Sequence, residues 1–211
     1  NAQFTEKIIR IPRSYAFDVE GELPDLTEMP CAKNDFITFG SFNRLNKINR
    51  EVIDLWCEVL RNLPNSRLQM AGMPSGGAPD ELLTWFKEEE ISEDRLYFYP
   101  RSGFVEYLKL HNQVDFCLDT FPYTGGTTTM HALWMGVPTL TLIGDTYPSA
   151  QGGAVNNRAG LSQYFIADSQ AEFVAKALFL AENKDILKNM KYSLRAHMVE
   201  NYAGNLEALL N

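Results

Sequence analysis

From residue 36 onward, apolar runs of strand length alternate with amphipathic stretches of helical length, and this alternation strongly constrains the fold. The amphipathic stretches place apolar residues three and four positions apart, as one face of a helix requires. Strands that alternate with helices through short connections form a parallel sheet, because a crossover helix carries the chain back between parallel strands. The sequence therefore predicts an α/β fold with a doubly wound, Rossmann-like parallel sheet.

The pattern predicts individual elements along the chain. Strands are expected at residues 36–42, 66–71, 95–99, 114–118, 138–143 and 164–166. Helices are expected at residues 50–63, 80–90, 103–111, 126–135, 150–160, 169–182 and 184–202. Residues 1–35 contain three prolines and little periodicity, so we interpret them as an extended arm or linker before one domain at 36–211. Because residue 1 is not Met, we interpret it as a point inside a longer protein.

Charge and cysteine content restrict the classes of partner. The formal net charge is −8, with 27 acidic against 19 basic residues, which argues against nucleic acid or an anionic membrane surface as a partner. No apolar run reaches the roughly 18 residues of a membrane span. The three cysteines are odd in number and have no short spacing, so they indicate neither a disulfide framework nor a zinc site. They suit a reducing compartment, and we expect a cytoplasmic protein.

The strongest candidate site is the segment LDTFPYTGGTTTM at residues 118–130, which follows a predicted strand and opens a predicted helix. Ligands of doubly wound sheets bind beyond the carboxyl ends of the strands. Gly125 and Gly126 allow the backbone to approach a ligand closely. Thr127 and Thr128 offer N–H groups and hydroxyls at the positive end of the helix, which suits a diphosphate. An ordinary helix N-cap, with the glycines easing a turn, is the open alternative.

A second candidate is the segment GSFNRLNK at residues 40–47, after the first predicted strand. Arg44 and Lys47 are three positions apart, so in a helical turn they share one side. Two cations above the strand ends can clamp a pyrophosphate. A solvated loop is the alternative.

Three further residues are candidates for binding a nucleoside. Tyr107, after the third strand, can stack on a base, and backbone groups near Ser102 can contact the edge of the base. His131, one turn inside the helix after the Gly/Thr segment, can bond a ribose hydroxyl. The alternatives are a half-buried aromatic on an amphipathic helix for Tyr107 and a packed or solvated imidazole for His131.

Other chemistries have no support in the sequence. Asp115 and Asp119 flank a predicted strand but do not form the Asp-x-Asp pair that carries a catalytic metal, so we expect no metal. There is no GxGxxG motif and no legible Ser-His-Asp or Cys-His set. Cys117 lies in the middle of a strand and is expected in the core.

Several strings together resemble the O-GlcNAc transferase and SPINDLY family. They are FITFGSFNRLNK at 36–47, PNSR at 64–67, LDTFPYTGGTTT at 118–129 and ALWMGVP at 132–138, in compatible order and spacing. The resemblance implies the C-terminal, donor-binding half of a GT-B glycosyltransferase. It implies metal-independent, inverting transfer from a nucleoside-diphosphate sugar, expected to be UDP-GlcNAc, to Ser/Thr of an acceptor protein. Family members also carry an N-terminal catalytic domain and tetratricopeptide repeats.

The resemblance also implies roles for individual residues. Lys47 matches the lysine that neutralises the leaving diphosphate, and Thr127 and Thr128 match threonines that bind the phosphates. Three positions depart from the pattern. Tyr107 stands where many members have a base-stacking His, His131 where the animal enzymes have a ribose-binding Asp, and Arg44 where they have Gln.

The sequence leaves three other functions open. The same family includes fucosyl and glucosyl donors. A sugar-nucleotide epimerase of the same build would need its own acid and base near the sugar, and no obvious pair is present. A degenerate, non-enzymatic nucleotide-sugar-binding module is the third alternative. With only one half of the cleft, we expect this chain alone to bind a donor but to transfer no sugar.

Overall fold

One parallel sheet organises the part of the chain that the structure describes. The computed structural model describes residues 23–202, apart from the side chains of Val199, Asn201 and Tyr202. Six strands pair in the order β3-β2-β1-β4-β5-β6. They are β1 (Thr38–Ser41), β2 (Arg67–Met73), β3 (Leu96–Pro100), β4 (Phe116–Leu118), β5 (Thr139–Leu142) and β6 (Ile166–Ala167). The strand order reverses between β1 and β4, so the predicted doubly wound, Rossmann-like fold is confirmed.

Helices cover both faces of the sheet. They are α1 (Arg50–Asn62), α2 (Asp80–Glu88), α3 (Phe104–Leu110), α4 (Thr127–Trp134), α5 (Tyr147–Arg158), α6 (Ser162–Phe165), α7 (Gln170–Glu182) and α8 (Lys184–Tyr202). Helix α1 packs against α7, and α4 packs against α8. All four residues of β1 are buried, as a central strand covered on both faces requires.

Aromatic side chains pack together where the core meets the two central strands. Phe39 and Phe116, on the neighbouring strands β1 and β4, meet edge to face with ring centroids 5.0 Å apart. The Phe165 ring lies 6.2 Å from that of Phe116. Trp56 of α1 is fully buried, and its indole Nε1 donates to the backbone carbonyl of Asp119 at 3.2 Å. The core therefore reaches directly to the carboxyl end of β4.

Two predicted elements need correction, and the bounds of the other elements agree with the structure to within two residues. The predicted strand at 164–166 is wrong over its first two residues, because the Phe165 N–H donates to the Leu161 carbonyl at 2.9 Å and closes a helical turn. The apolar character of this run reflects burial of Phe165, which a helix and a strand provide equally well. Helix α5 begins at Tyr147 rather than at 150, because the Thr146 N–H donates to Ser149 Oγ at 2.9 Å and caps an earlier turn.

Residues 1–22 of the predicted arm lie outside the described residues. The rest of the arm, 23–35, contains one 3₁₀ turn at Pro30–Ala32 and packs beside the amino end of β4. There the N–H of Cys31 donates to the Asp115 carboxylate at 2.8 Å. The boundary at residue 36 stays a prediction. Among residues 23–202, no helix combines the length and apolar character needed to cross a membrane.

Candidate functional site

A cleft of about 840 Å³ opens at the carboxyl ends of β1 and β4, where the strand order reverses. Its walls come from the β1 loop (residues 42–49), the Gly/Thr loop (residues 119–126) and the helices α3, α4 and α5. Seven of the nine predicted site residues line it: Arg44, Lys47, Tyr107, Gly126, Thr127, Thr128 and His131. The structure therefore brings together residues that are up to 87 positions apart in sequence, from 44 to 131.

The amino end of α4 faces this cleft. Gly126 is the N-cap, with φ −122° and ψ −86°, and Thr127 and Thr128 are the first two helical residues. The N-cap of α4 is therefore a glycine and not a threonine. The first N–H groups of a helix have no acceptor within it and carry its positive end. The side chain of Thr127 is exposed, whereas the hydroxyl of Thr128 donates to Asn43 Oδ1 at 2.9 Å.

Lys47 is a half-buried cation at the other side of the cleft. It ends a 3₁₀ turn, Leu45–Lys47, for which Arg44 is the N-cap. Its ammonium donates to the Thr124 carbonyl at 2.9 Å and lies 4.0 Å from the centroid of the Tyr123 ring. Burial lowers the pKa of Lys47; the nearby Asp119 opposes that effect, and Arg44 adds to it. For Lys47, the solvated-loop alternative does not fit this environment.

Asp119, at the start of the Gly/Thr loop, is a buried hydrogen-bond centre. Its Oδ1 accepts from Asn43 Nδ2 at 2.9 Å, from the Thr120 N–H at 2.9 Å and from the Gly125 N–H at 2.8 Å. Its Oδ2 accepts from the Thr141 hydroxyl at 2.9 Å. Burial raises the pKa of Asp119, and these hydrogen bonds oppose that shift. Sequence reasoning weighed Asp119 only as a metal ligand and missed this role.

Two glycines leave room for this arrangement. A Cβ on Gly125 would lie 2.4 Å from Thr129 Oγ1, and one on Gly152 would lie 2.5 Å from Asp119 Oδ2. Both distances are far below van der Waals contact. Gly125 does not line the cleft, and its N–H is bonded to Asp119. Gly125 therefore shapes the loop behind the cleft, and of the two glycines only Gly126 lines the cleft.

Tyr107 and His131 line the cleft and contact each other. The Tyr107 hydroxyl and His131 Nδ1 lie 3.2 Å apart, within hydrogen-bond distance. The Phe104 ring lies 6.1 Å from that of Tyr107 and 5.2 Å from that of His131. Burial lowers the pKa of His131 to about 4, so its imidazole is neutral at pH 7. Tyr107, a residue of α3, is thus partly packed against its neighbours and also lines the cleft.

Some residues that line the cleft were not predicted, and not every predicted site residue lines it. Helix α5 adds Tyr147, Gln151 and Arg158 to the wall of the cleft, and no sequence motif predicts these residues. Ser102 is exposed and does not line the cleft. The one sequence signal for α5 was its position after a strand, since helices that follow strands begin at this edge of a doubly wound sheet.

Comparison with known families identifies the group to which this fold and cleft belong. Residues 28–205 match the model for glycosyl transferase family 41, which is most of the chain. The chain belongs to this family. The family 41 match spans every strand of the sheet and all the residues that line the cleft.

Individual relatives agree with this assignment. A protein of Hordeum vulgare named as a probable UDP-N-acetylglucosamine–peptide N-acetylglucosaminyltransferase SPINDLY is 32% identical over 95% of the chain, which covers 22% of that protein. A solved O-GlcNAc transferase of Thermobaculum terrenum is 30% identical, with a TM-score of 0.80 over 92% of the chain and 37% of that structure. The resemblance to O-GlcNAc transferases and SPINDLY is confirmed.

A third comparison concerns the fold alone. The C-terminal domain of a group 1 glycosyl transferase from Francisella tularensis is 13% identical, with a TM-score of 0.57 over 81% of the chain and 86% of that domain. The chain spans less than a quarter of the length of curated relatives that it matches, 22% and 23% for two SPINDLY proteins.

Proposed function

We propose that this chain is the donor-binding half of a glycosyltransferase that transfers GlcNAc from UDP-GlcNAc to Ser/Thr of proteins. One observation carries the proposal: cations, a helix amino end and aromatic rings all line a single cleft. A nucleoside diphosphate offers the matching chemistry, with a negatively charged diphosphate and a flat base. The names of the relatives, which specify UDP-N-acetylglucosamine and a peptide acceptor, support this donor.

The diphosphate would lie between the β1 loop and α4. The ammonium of Lys47 has three N–H groups, of which one is bonded to Thr124, so the others are available to phosphate oxygens. Thr127 offers its N–H and its exposed hydroxyl. Thr128 offers its N–H, because its hydroxyl proton is directed to Asn43. Arg44 adds a second cation at the mouth of the cleft.

The nucleoside would lie toward α3 and α5. Tyr107 presents a ring on which a base can stack, and His131, as a neutral imidazole, can hydrogen-bond a ribose hydroxyl. Uracil is proposed as the base because the relatives are named for a uridine donor.

The proposed reaction is displacement at the anomeric carbon. An acceptor hydroxyl oxygen forms the new bond from the face opposite the diphosphate, so the configuration inverts. The bond from that carbon to the phosphate oxygen breaks, and the departing UDP takes the electron pair. Lys47 and the α4 N–H groups stabilise this charge electrostatically, and we propose that they do so without a divalent ion. The hydroxyl proton leaves to a base on the acceptor side.

The rest of the enzyme is part of the proposal. The relatives are several times longer than this chain, and we propose that an N-terminal catalytic domain closes the cleft and that tetratricopeptide repeats accompany it. The acceptor protein would then approach the sugar from that side.

A thermal-shift panel tests the function proposed for this chain. UDP and UDP-GlcNAc should raise its melting temperature more than GDP and GDP-fucose do. A larger shift with GDP compounds would reassign the donor, and no shift with any nucleoside diphosphate would overturn donor binding. Incubation with UDP-GlcNAc and acceptor peptide should give no glycosylated product, since the other half of the cleft is missing.

A further inference from the structure

Three hydrogen bonds join the β1 loop to the Gly/Thr loop. Asn43 Nδ2 donates to Asp119 Oδ1 at 2.9 Å, and Lys47 Nζ donates to the Thr124 carbonyl at 2.9 Å. Asn49, the N-cap of α1, donates from Nδ2 to the Phe121 carbonyl at 3.3 Å. The two loops that carry the charged side of the cleft are therefore held together at both ends and in the middle.

Asn43 differs from Lys47 and Asn49, because its side chain also forms a hydrogen bond with α4. Its amide Nδ2 is committed to Asp119, and its Oδ1 accepts from the Thr128 hydroxyl at 2.9 Å. The side chain is 5% exposed and the Asp119 side chain 1%, so water competes little for these bonds. One amide thus connects a buried carboxylate, the amino end of α4 and the loop that bears Lys47.

The Asp119 carboxylate sets the orientation of that amide. Its Oδ1 takes only N–H donors, so the Asn43 NH₂ points to it and the Asn43 oxygen points to Thr128. The same Oδ1 accepts from the N–H of Gly125, the residue before the α4 N-cap. Asp119 therefore fixes α4 both through the backbone and through Asn43.

We infer that Asn43, oriented by Asp119, is a positioning residue that holds Lys47 and the amino end of α4 toward one shared diphosphate. Neither Asn43 nor Asp119 needs to bond the ligand for this role. The inference rests on the donor site proposed above and adds to it the device that preorganises the two sources of positive charge.

The test compares variants that remove different hydrogen bonds of the network. Asn43→Ala breaks the link between the loops. Thr141→Val removes a hydroxyl from the opposite side of the same carboxylate and is the matched control for destabilisation. Thr128→Val, alone and with Asn43→Ala, tests the connection to α4. The affinity of the 211-residue chain for UDP is measured by calorimetry, and folding by melting temperature.

The expected pattern is specific to positioning. Asn43→Ala loses two hydrogen bonds and should weaken UDP binding about tenfold, whereas Thr141→Val stays within about twofold of wild type at a similar loss of melting temperature. Thr128→Val also weakens binding, and it adds nothing in the Asn43→Ala background. If Asn43→Ala does not fold, the comparison of Thr128→Val with Thr141→Val carries the test.

Two substitutions of Asp119 test whether a conservative change preserves UDP binding. Asp119→Asn keeps an oxygen for the three N–H donors and can turn its NH₂ to the Thr141 hydroxyl, so UDP affinity should remain within about threefold of wild type. Asp119→Ala, which removes the acceptor, should lose about tenfold or more.

The contrary outcomes are separable. Four outcomes would each overturn the positioning role of Asn43, provided that the wild-type chain binds UDP. They are wild-type UDP affinity in Asn43→Ala or in Thr128→Val, equal losses of affinity in Asn43→Ala and Thr141→Val, additive losses in the double variant, and a loss in Asp119→Asn as large as in Asp119→Ala. Failure of the wild-type chain to bind any nucleoside diphosphate would overturn the donor site itself, and positioning with it.

Discussion

The ammonium nitrogen of Lys47 lies 2.9 Å from the carbonyl oxygen of Thr124 and 4.0 Å from the centroid of the Tyr123 ring. The carbonyl and the π face both attract a cation, so they hold the ammonium in place without a ligand. A charge that is already placed needs little reorganisation when negative charge develops on a leaving group. Lys47 is therefore the residue for which binding and turnover should separate most clearly.

Lys47→Ala should weaken UDP binding by the chain only modestly, by about tenfold or less, because the amino end of α4 still holds part of the charge. In the longer protein with both halves of the cleft, turnover should fall by roughly a hundredfold or more. Titration calorimetry and initial rates measure the two effects.

The matched control for Lys47 is Lys109→Ala, which removes a surface cation of α3 that pairs with Glu106 outside the cleft. It should leave both quantities unchanged. Normal turnover in a folded Lys47→Ala enzyme would remove Lys47 from the mechanism.

Tyr107 should contribute through its ring. Tyr107→Phe removes the hydroxyl near His131 but keeps the stacking surface, so UDP affinity should change by no more than about threefold. Tyr107→Ala removes the ring and should weaken binding about tenfold or more, the usual scale of base stacking. Equal affinity of Tyr107→Ala and wild type would place the base elsewhere in the cleft.

His131 should not titrate near neutral pH. Burial lowers its pKa to about 4, so UDP binding should not change through His131 between about pH 6 and 8. Because this pKa is lower in the folded chain than in the unfolded one, the unfolded chain binds the proton first. His131 therefore costs stability as pH falls below the ordinary value of 6.5 toward 4. An NMR titration of the His131 ring with a midpoint near 6.5 would contradict this environment.

Divalent metal should not affect donor binding. In the proposed site, positive charge comes from Lys47, Arg44 and the α4 N–H groups, so UDP affinity should be the same in EDTA and in millimolar Mg²⁺. Titrations in the two buffers compare these affinities directly. A loss of binding in EDTA would show that the protein charges are insufficient.

The sequence predicts the sheet and much of the cleft, because both depend on local patterns. The segment that contains Gly126, Thr127 and Thr128 follows a buried strand and opens a helix, and the sequence alone shows this order. The fold then brings Arg44 and Lys47 to the same edge, since the carboxyl ends of parallel strands share one edge. Tyr107 and His131 are candidates from their positions after the third and fourth strands, and the structure places both in the cleft.

The remaining features depend on tertiary contacts that no local pattern encodes. Asn43 looks like any polar loop residue until the fold places its amide between Asp119 and Thr128. Tyr147 belongs to α5 only because that helix begins earlier than its periodicity indicates, and Arg158, although inside the predicted helix, reaches the cleft only through the packing of the fold. Ser102 follows the third strand, as a ligand-binding residue can, but it is exposed and does not line the cleft.

The most direct test of the central claim is a parallel calorimetric titration of the wild-type chain with UDP and with uridine. If the β1 loop and α4 bind a diphosphate, UDP should bind at one site, and uridine should bind about a hundredfold more weakly or not measurably. Equal affinity for the two ligands, or no binding of UDP, would contradict the assignment of this cleft to a nucleoside-diphosphate donor.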